Sequence, residues 1–484
     1  MSAPPPRTIT CAHAVTAPDQ RVARQCAIAI EDGHIIEVAD AAGRSVEPLL
    51  ALPALVNAHD HGRPLRTSSV GAGNKPLESW LLHLAVIPSV DPYLAAIVAL
   101  GNAALGGAGC VMIHYTRVQG FTDFLTEVSE VARAARDVGV RVGFAISMRD
   151  RHPLVYGDSE PVLSMLPATA RFEIERRLLR PPLSPRDYLA LVDDVAAAAA
   201  GPMFDVQYGP NGVQWCSDAL LEGIAEASHR NGRRVHMHLL ETRYQRAWAD
   251  AAFPGGIVKH LDAIGLLSSR LTLAHCVWAR PEELDLLALR GVTLVNNNSS
   301  NLHLRSGMAP VARMVERGCR VALGIDGSAL DEDDDALREL RLAHLLHVGP
   351  GFKPAVSRQQ ALRMAFANGR FSVTNVDNGG TIAAGAPADL LLLDWASLDD
   401  DRLDERIDPL DLLFSRAAAK HISELIVGGR TVVKDGKVVG VDLPAARAEV
   451  IGQMRAHMRD NGALAAALPA LERVVAAHFE PGCG

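Results

Sequence analysis

Short apolar segments of strand length recur along this chain at 52–56, 110–113, 140–146, 203–207, 235–239, 271–274, 292–295 and 321–325. Between them lie Ala- and Leu-rich stretches with apolar residues three and four apart, the helix period, as at 217–231. The strand-like segments are apolar throughout rather than alternating, as parallel strands covered on both faces are. Eight such strands separated by helices predict an α/β fold, a (β/α)8 TIM barrel whose chemistry gathers at the C-terminal strand ends.

The two ends of the chain follow a different pattern. Residues 26–30 are apolar, Glu31-Asp-Gly33 is a turn signal, and a strand resumes at 34–38. After residue 380, strand-like segments return at 388–394 and 422–427, with a hairpin turn at 434–437. The two ends are therefore expected to share a small β-sandwich. The predicted division is 1–50 for its first part, 51–375 for the barrel, 376–440 for its second part, and 441–484 for a C-terminal helical tail. The Ala-rich stretches at 195–200 and 445–460 are read as packing around the barrel and in that tail.

Composition narrows the function classes. The 484 residues are 48% hydrophobic and 21% charged, ordinary globular usage that excludes disordered and collagen-like chains. A formal charge of -8, with 48 basic and 56 acidic residues interspersed, leaves no footprint for nucleic acid or an anionic membrane surface. No stretch reaches the roughly 18 uninterrupted apolar residues of a spanning helix, and the first residues lack the apolar region of an export signal. Seven scattered cysteines without a CxxC pair fit reduced thiols, hence a cytoplasmic location.

The expected strand ends carry ligand-type residues: His59 and His61, then His236, His238 and Glu241, then His275, and last Asp326. His59-Asp-His61 is mechanically sensible, because side chains two apart on an extended strand point the same way and both imidazoles can reach one cation. Asp60 should point the other way. No Gly-x-Ser-x-Gly elbow, Gly-x-Gly-x-x-Gly, phosphate loop or His-Glu-x-x-His is present, which removes serine-hydrolase, dehydrogenase and zincin chemistry. The acidic run 331–335 is read as a solvated loop leading into a helix N-terminus.

Seven ordered motifs resemble the amidohydrolase superfamily, in its deaminase and chlorohydrolase branch with guanine deaminase, S-adenosylhomocysteine deaminase and the triazine hydrolases. They are LPALVNAHDH at 52–61, HMHLLE at 236–241, LAH at 273–275, SNLHLRSGMAP at 300–310, LGIDG at 323–327, GTIAAGAPAD at 380–389 and VGGRTVVKDG at 427–436. The resemblance implies metal ligation by His59, His61, His238 and Asp326, with Glu241 as proton shuttle and His275 orienting or polarising the reacting carbon; His236 is read as structural. Three neutral imidazoles and one carboxylate independently suit one divalent transition metal, zinc favoured and iron or manganese the alternatives, with a position left for water. Binuclear members use a bridging lysine on the fourth strand; residues 203–210 contain none, which implies a mononuclear site.

The expected activity is hydrolysis of a carbon–nitrogen bond: hydroxide adds to an electron-poor carbon of a purine-, pterin-, pyrimidine- or triazine-like heterocycle and ammonia leaves, protonated through Glu241. The same site could instead expel chloride, an alkylamine or sulfide, or open a cyclic amide. A non-catalytic barrel scaffold is the alternative of another class, but it need not keep the ligands, and all are present. Two departures from the branch bear on substrate. NNNSSN at 296–301 replaces a common His-x-Pro element, and GRPLR at 62–66 puts Arg63 two residues past a ligand, ahead of PLESWL at 76–81. Arg63, Trp80, Arg149 and Asn301 are the candidate substrate contacts, with Arg151 beside them, and an anionic or strongly polar substrate edge is expected. The expected partner is a small heterocyclic molecule, and the expected assembly a homodimer.

Overall fold

The computed structural model describes residues 5–327, 330–374 and 378–480; Cys483 and the expected boundary at 375/376 lie outside them. Strands Arg7–Ala14 (β1), Ala23–Glu31 (β2), His34–Asp40 (β3) and Leu49–Pro53 (β4) come first. The barrel strands follow: Leu55–Asp60 (β5), Ala108–Tyr115 (β6), Arg141–Met148 (β7), Phe204–Pro210 (β8), Val235–Leu239 (β9), Leu271–His275 (β10), Thr293–Asn296 (β11) and Arg320–Leu323 (β12). Leu390–Asp394 (β13), Ile422–Val427 (β14), Arg430–Lys434 (β15) and Lys437–Val438 (β16) return to the first sheet.

The barrel is an eight-stranded sheet in sequential order with parallel pairings throughout. It closes just past β12, where the backbone N–H groups of Ile325 and Asp326 donate to His59 O at 3.2 and 2.9 Å. A second eight-stranded sheet joins both chain ends in the order β16-β15-β14-β13-β4-β1-β2-β3. The expected strand at 52–56 is in fact two strands in two sheets. Leu52 and Pro53 pair antiparallel with β13, while Leu55 and Val56 pair parallel with β6. Pro53 has no N–H to continue a ladder, and the chain changes sheets at Ala54, whose N–H donates to Asp389 O at 3.0 Å.

Inside the barrel a small apolar cluster, including Val56, Met112, Val295 and Val373, is distinct from the main core between barrel and helices. Other interior positions are polar: His59, His114, Gln207 and His236 are all fully buried. The stretch Leu443–Phe479 is long and apolar enough to cross a membrane by length and composition. It is broken at Met458–Asn461, and Leu464, Leu468, Leu471 and Val475 of its second helix are buried in a cluster with Leu82, Leu163 and Ile174.

Candidate active site

His59 and His61 sit at the C-terminal edge of β5, His238 near the end of β9, His275 at the end of β10, and Asp326 just past β12. The two-residue strand period brings His59 and His61 to the same interior, with ring centroids 5.1 Å apart. Asp60 turns away. Its carboxylate accepts from His61 N and Gly62 N at 2.7 and 2.9 Å, from Asn57 Nδ2 at 2.7 Å and from Gly327 N at 3.0 Å, tying the first and last strand ends together. His275 and Asp326 have positive φ of 74° and 59°. Such backbone costs on the order of 1 kcal/mol or more per residue and persists where surrounding structure imposes it.

The donor atoms of His59, His61 and Asp326 lie within 4.8 Å of one another, as do those of His59, His238 and His275. His61 Nε2 is 3.0 Å from Asp326 Oδ1 and 3.4 Å from His238 Nε2. The far nitrogens are engaged: His61 Nδ1 lies 2.8 Å from His114 O, and His238 Nδ1 lies 2.7 Å from Asn211 O. A carbonyl can only accept, so each Nδ1 donates, and the neutral ring presents its Nε2 lone pair inward. His59 Nδ1 is 2.7 Å from His236 Nε2, so His236 backs a candidate ligand as well as filling the barrel. Sequence reasoning missed that pairing, although two histidines two apart on one strand face signalled it.

His59 Nε2 and Asp326 Oδ1 are buried without a hydrogen-bond partner. Unsatisfied buried acceptors of this kind are costly, and a cation among them satisfies both. Burial pulls the His59 imidazole down to about 4 and the His238 imidazole well below its ordinary value, so both rings are neutral donors. Imidazole and carboxylate donors with their outward nitrogens fixed fit a divalent metal.

Glu241 lies two residues past β9 and is 2% exposed. Its Oε2 is 3.7 Å from His275 Nε2, and Ser306 Oγ donates to its Oε1 at 3.4 Å. Burial pushes this carboxyl up to about 7, with His275 opposing and Asp326 reinforcing the effect. Ser300 Oγ donates to Asp326 Oδ2 at 2.6 Å, a contact that the motif at 300–310 contained but sequence reasoning left unassigned. Asn301 is also buried, and its Oδ1 lies 3.0 Å from His275 Nδ1. That places Asn301 behind His275, and it is not among the cavity-lining residues.

A cavity of about 530 Å³ opens over the cluster, lined by His61, His238, Glu241, His275 and Asp326 on one side. Arg63, Trp80 and Arg149 also line it. Arg63 lies 4.8 Å over the Trp80 ring and donates to Asp326 O at 3.1 Å. Arg149 donates to Pro153 O at 3.5 Å, whereas Arg151 is not a lining residue and hydrogen-bonds His152. Two further lining residues escaped sequence reasoning. Arg117 donates to the carbonyls of Leu84 and Ile87, and Glu78 accepts from Tyr156 Oη and Thr242 Oγ1 at 2.7 and 2.6 Å.

A closed parallel barrel with buried imidazoles and carboxylates at its C-terminal mouth is a TIM barrel with a candidate metal centre. Residues 50–439 match the amidohydrolase family, and the chain belongs to it. It is 29% identical over 430 residues to the 5'-deoxyadenosine deaminase of Methanothermobacter thermautotrophicus, covering 86% of this chain and 91% of that one. It is 28% identical to the 5-methylthioadenosine/S-adenosylhomocysteine deaminase of Thermococcus sibiricus, covering 84% of each. Among solved structures, a zinc-bound adenosine deaminase from Xanthomonas campestris superposes with a TM-score of 0.78 at 23% identity, over 94% of this chain and 98% of that one. The atrazine chlorohydrolase of Arthrobacter aurescens complexed with zinc gives 0.74 at 22% identity, over 92% and 99%.

Proposed function

We propose that this chain is a mononuclear metal-dependent aminohydrolase that replaces the amino group of a nitrogen heterocycle with oxygen and releases ammonia. The observation that carries this reading is Glu241, a buried carboxyl pushed up to about 7 within 4 Å of His275 and beside the donor cluster. A proton carrier must accept a proton and give it back at working pH, and a carboxyl near 7 does both. His59, His61, His238 and Asp326 would hold the ion, with zinc favoured. A divalent ion held there would lower the pKa of a water molecule and supply positive charge beside the reacting carbon.

Glu241 takes one proton from the water whose oxygen bonds to the ring carbon, and delivers it to the departing nitrogen. The C–N bond breaks with its electron pair on nitrogen, which leaves as ammonia, and the second water proton passes from the new oxygen to the adjacent ring nitrogen as the hydroxy form becomes the oxo ring. His275, held through Nδ1 by Asn301, presents Nε2 toward Glu241 Oε2 and Asp326 Oδ2, at 3.7 and 3.9 Å. Arg63 and Arg149 bind the substrate's polar edge and Trp80 supports Arg63; Asn301 acts through His275 rather than on substrate. Among the described residues six free, buried cysteines support a reducing, cytoplasmic setting. The deaminase names of the relatives support the leaving group. Screening metal-replete protein against amino-purines, pterins, pyrimidines and triazines for released ammonia tests the proposal; release of chloride, alkylamine or sulfide without ammonia would refute it.

A further inference from the structure

We propose that the C-terminal helix pair is part of the reaction site and that Glu472 is a positioning residue there, fixing the cavity wall that in turn fixes Glu241; this rests on the aminohydrolase reading above. Helices Leu443–His457 and Gly462–Phe479 lie beyond residue 439, where the family match ends. Met454 of the first helix nevertheless lines the reaction cavity, as do Pro92 and Ala95, and Gln453 Oε1 accepts from Asp91 N at 3.0 Å. Glu472, in the second helix, gathers three side chains from helix Leu77–Leu84 and the segment before it. Its Oε1 accepts from Lys75 Nζ at 2.6 Å and from Ser79 Oγ, and its Oε2 lies 3.3 Å from His83 Nε2. Asn461 Nδ2 donates to Val86 O at 3.1 Å, just past the end of that helix. The wall held in this way carries Glu78, Trp80 and Leu84 into the cavity lining.

Glu78 leads from this wall to Glu241. Its Oε1 accepts from Thr242 Oγ1 at 2.6 Å and from Tyr156 Oη at 2.7 Å. Thr242 follows Glu241 directly; its Oγ1 accepts from Gln245 N at 3.2 Å, and Gln245 Oε1 accepts from Glu241 N at 2.8 Å. The C-terminal helix reaches the same group a second time, since the Phe479 ring packs edge-on against Tyr156 with centroids 5.1 Å apart. Apolar packing of Leu464, Leu468 and Leu471 holds this helix to the body of the protein but is non-directional. The hydrogen bonds of Glu472 are charge-assisted and directional, so they set the register of helix Leu77–Leu84 and hence of Glu78. Register matters there, because a misplacement of about 1 Å at a reacting group can cost roughly 10²-fold in rate.

Hydrogen exchange of zinc-loaded protein, read by mass spectrometry, tests the link. In Glu472→Ala the amides of 77–84 and of 240–246 should both exchange roughly 10-fold faster, about the loss of one hydrogen bond to a charged group, while those of 271–275 stay as in the wild type. Glu472→Gln keeps an oxygen for Lys75 and Ser79 and should restore both segments. Ser79→Ala removes one partner from the other side at little cost to folding, and should loosen the same two segments to a smaller extent. With a ring that releases ammonia in the screen above, Glu472→Ala should lower kcat about 10-fold and change KM less, with recovery in Glu472→Gln. Exchange that quickens at 77–84 alone or at neither segment, or a kcat that does not fall, overturns the proposal. Linked exchange without ammonia from any ring refutes only the aminohydrolase reading.

Discussion

Replacing Glu241 by Gln separates the chemistry of this carboxyl from its structural cost. The amide keeps the shape and can still accept from Ser306 and donate to His275 Nε2, so the pocket should not rearrange. A carboxyl moved by burial from an ordinary 4.5 to about 7 costs roughly 3 kcal/mol of stability once it is ionised. Below pH 4.5 it is protonated in folded and unfolded chains alike, and the cost is absent. As pH rises from 4.5 to 7 the unfolded chain binds fewer protons than the folded one, stability falls, and the full deficit is present above 7. Metal-stripped Glu241→Gln should therefore melt a few degrees above metal-stripped wild type at pH 8, the two converging toward pH 5. Metal-loaded variant should retain its ion while turnover drops roughly 10²- to 10⁴-fold, the usual loss of general acid–base catalysis. A melting difference that does not change with pH would refute burial as the origin of the shift. Turnover near wild type would remove Glu241 from the mechanism.

Elemental analysis should find close to one divalent transition ion per chain, lost in His238→Ala and in Asp326→Ala; two ions per chain would contradict a mononuclear site. Ser300→Ala removes the 2.6 Å hydrogen bond to Asp326 Oδ2 and should weaken metal affinity about 10- to 100-fold in a chelator competition, as loss of ligand support does; unchanged affinity would show that Asp326 needs no such support. Gly324→Ala would put a Cβ 2.3 Å from Asn297 Oδ1 and 2.9 Å from His59 N, where the barrel closes. Overpacking there should cost about 1–3 kcal/mol, read as a lowered denaturation midpoint, and an unchanged midpoint would mean the seam has slack.

The sequence by itself determined the barrel, because eight apolar segments at regular intervals have one economical way to bury both faces. It also determined the position of each candidate ligand along the chain, since ligand-type residues stand where strands end. The period-2 rule predicted that His59 and His61 share a face and that Asp60 does not. The limits of sequence were set by contacts between residues distant along the chain. Whether residues 49–60 formed one strand or two depended on partners more than 300 residues away for β4 and about 50 away for β5. The support of His59 by His236, of His275 by Asn301 and of Asp326 by Ser300 depends on barrel closure and strand stagger. Asn301 shows the limit most clearly: its sequence neighbourhood suggested substrate, while the short helix Asn298–His303 after β11 buries its amide against His275. Burial, too, is a property of the packed barrel alone, and it is burial that gives a glutamate of ordinary acidity in the unfolded chain a carboxyl near 7 in the folded one.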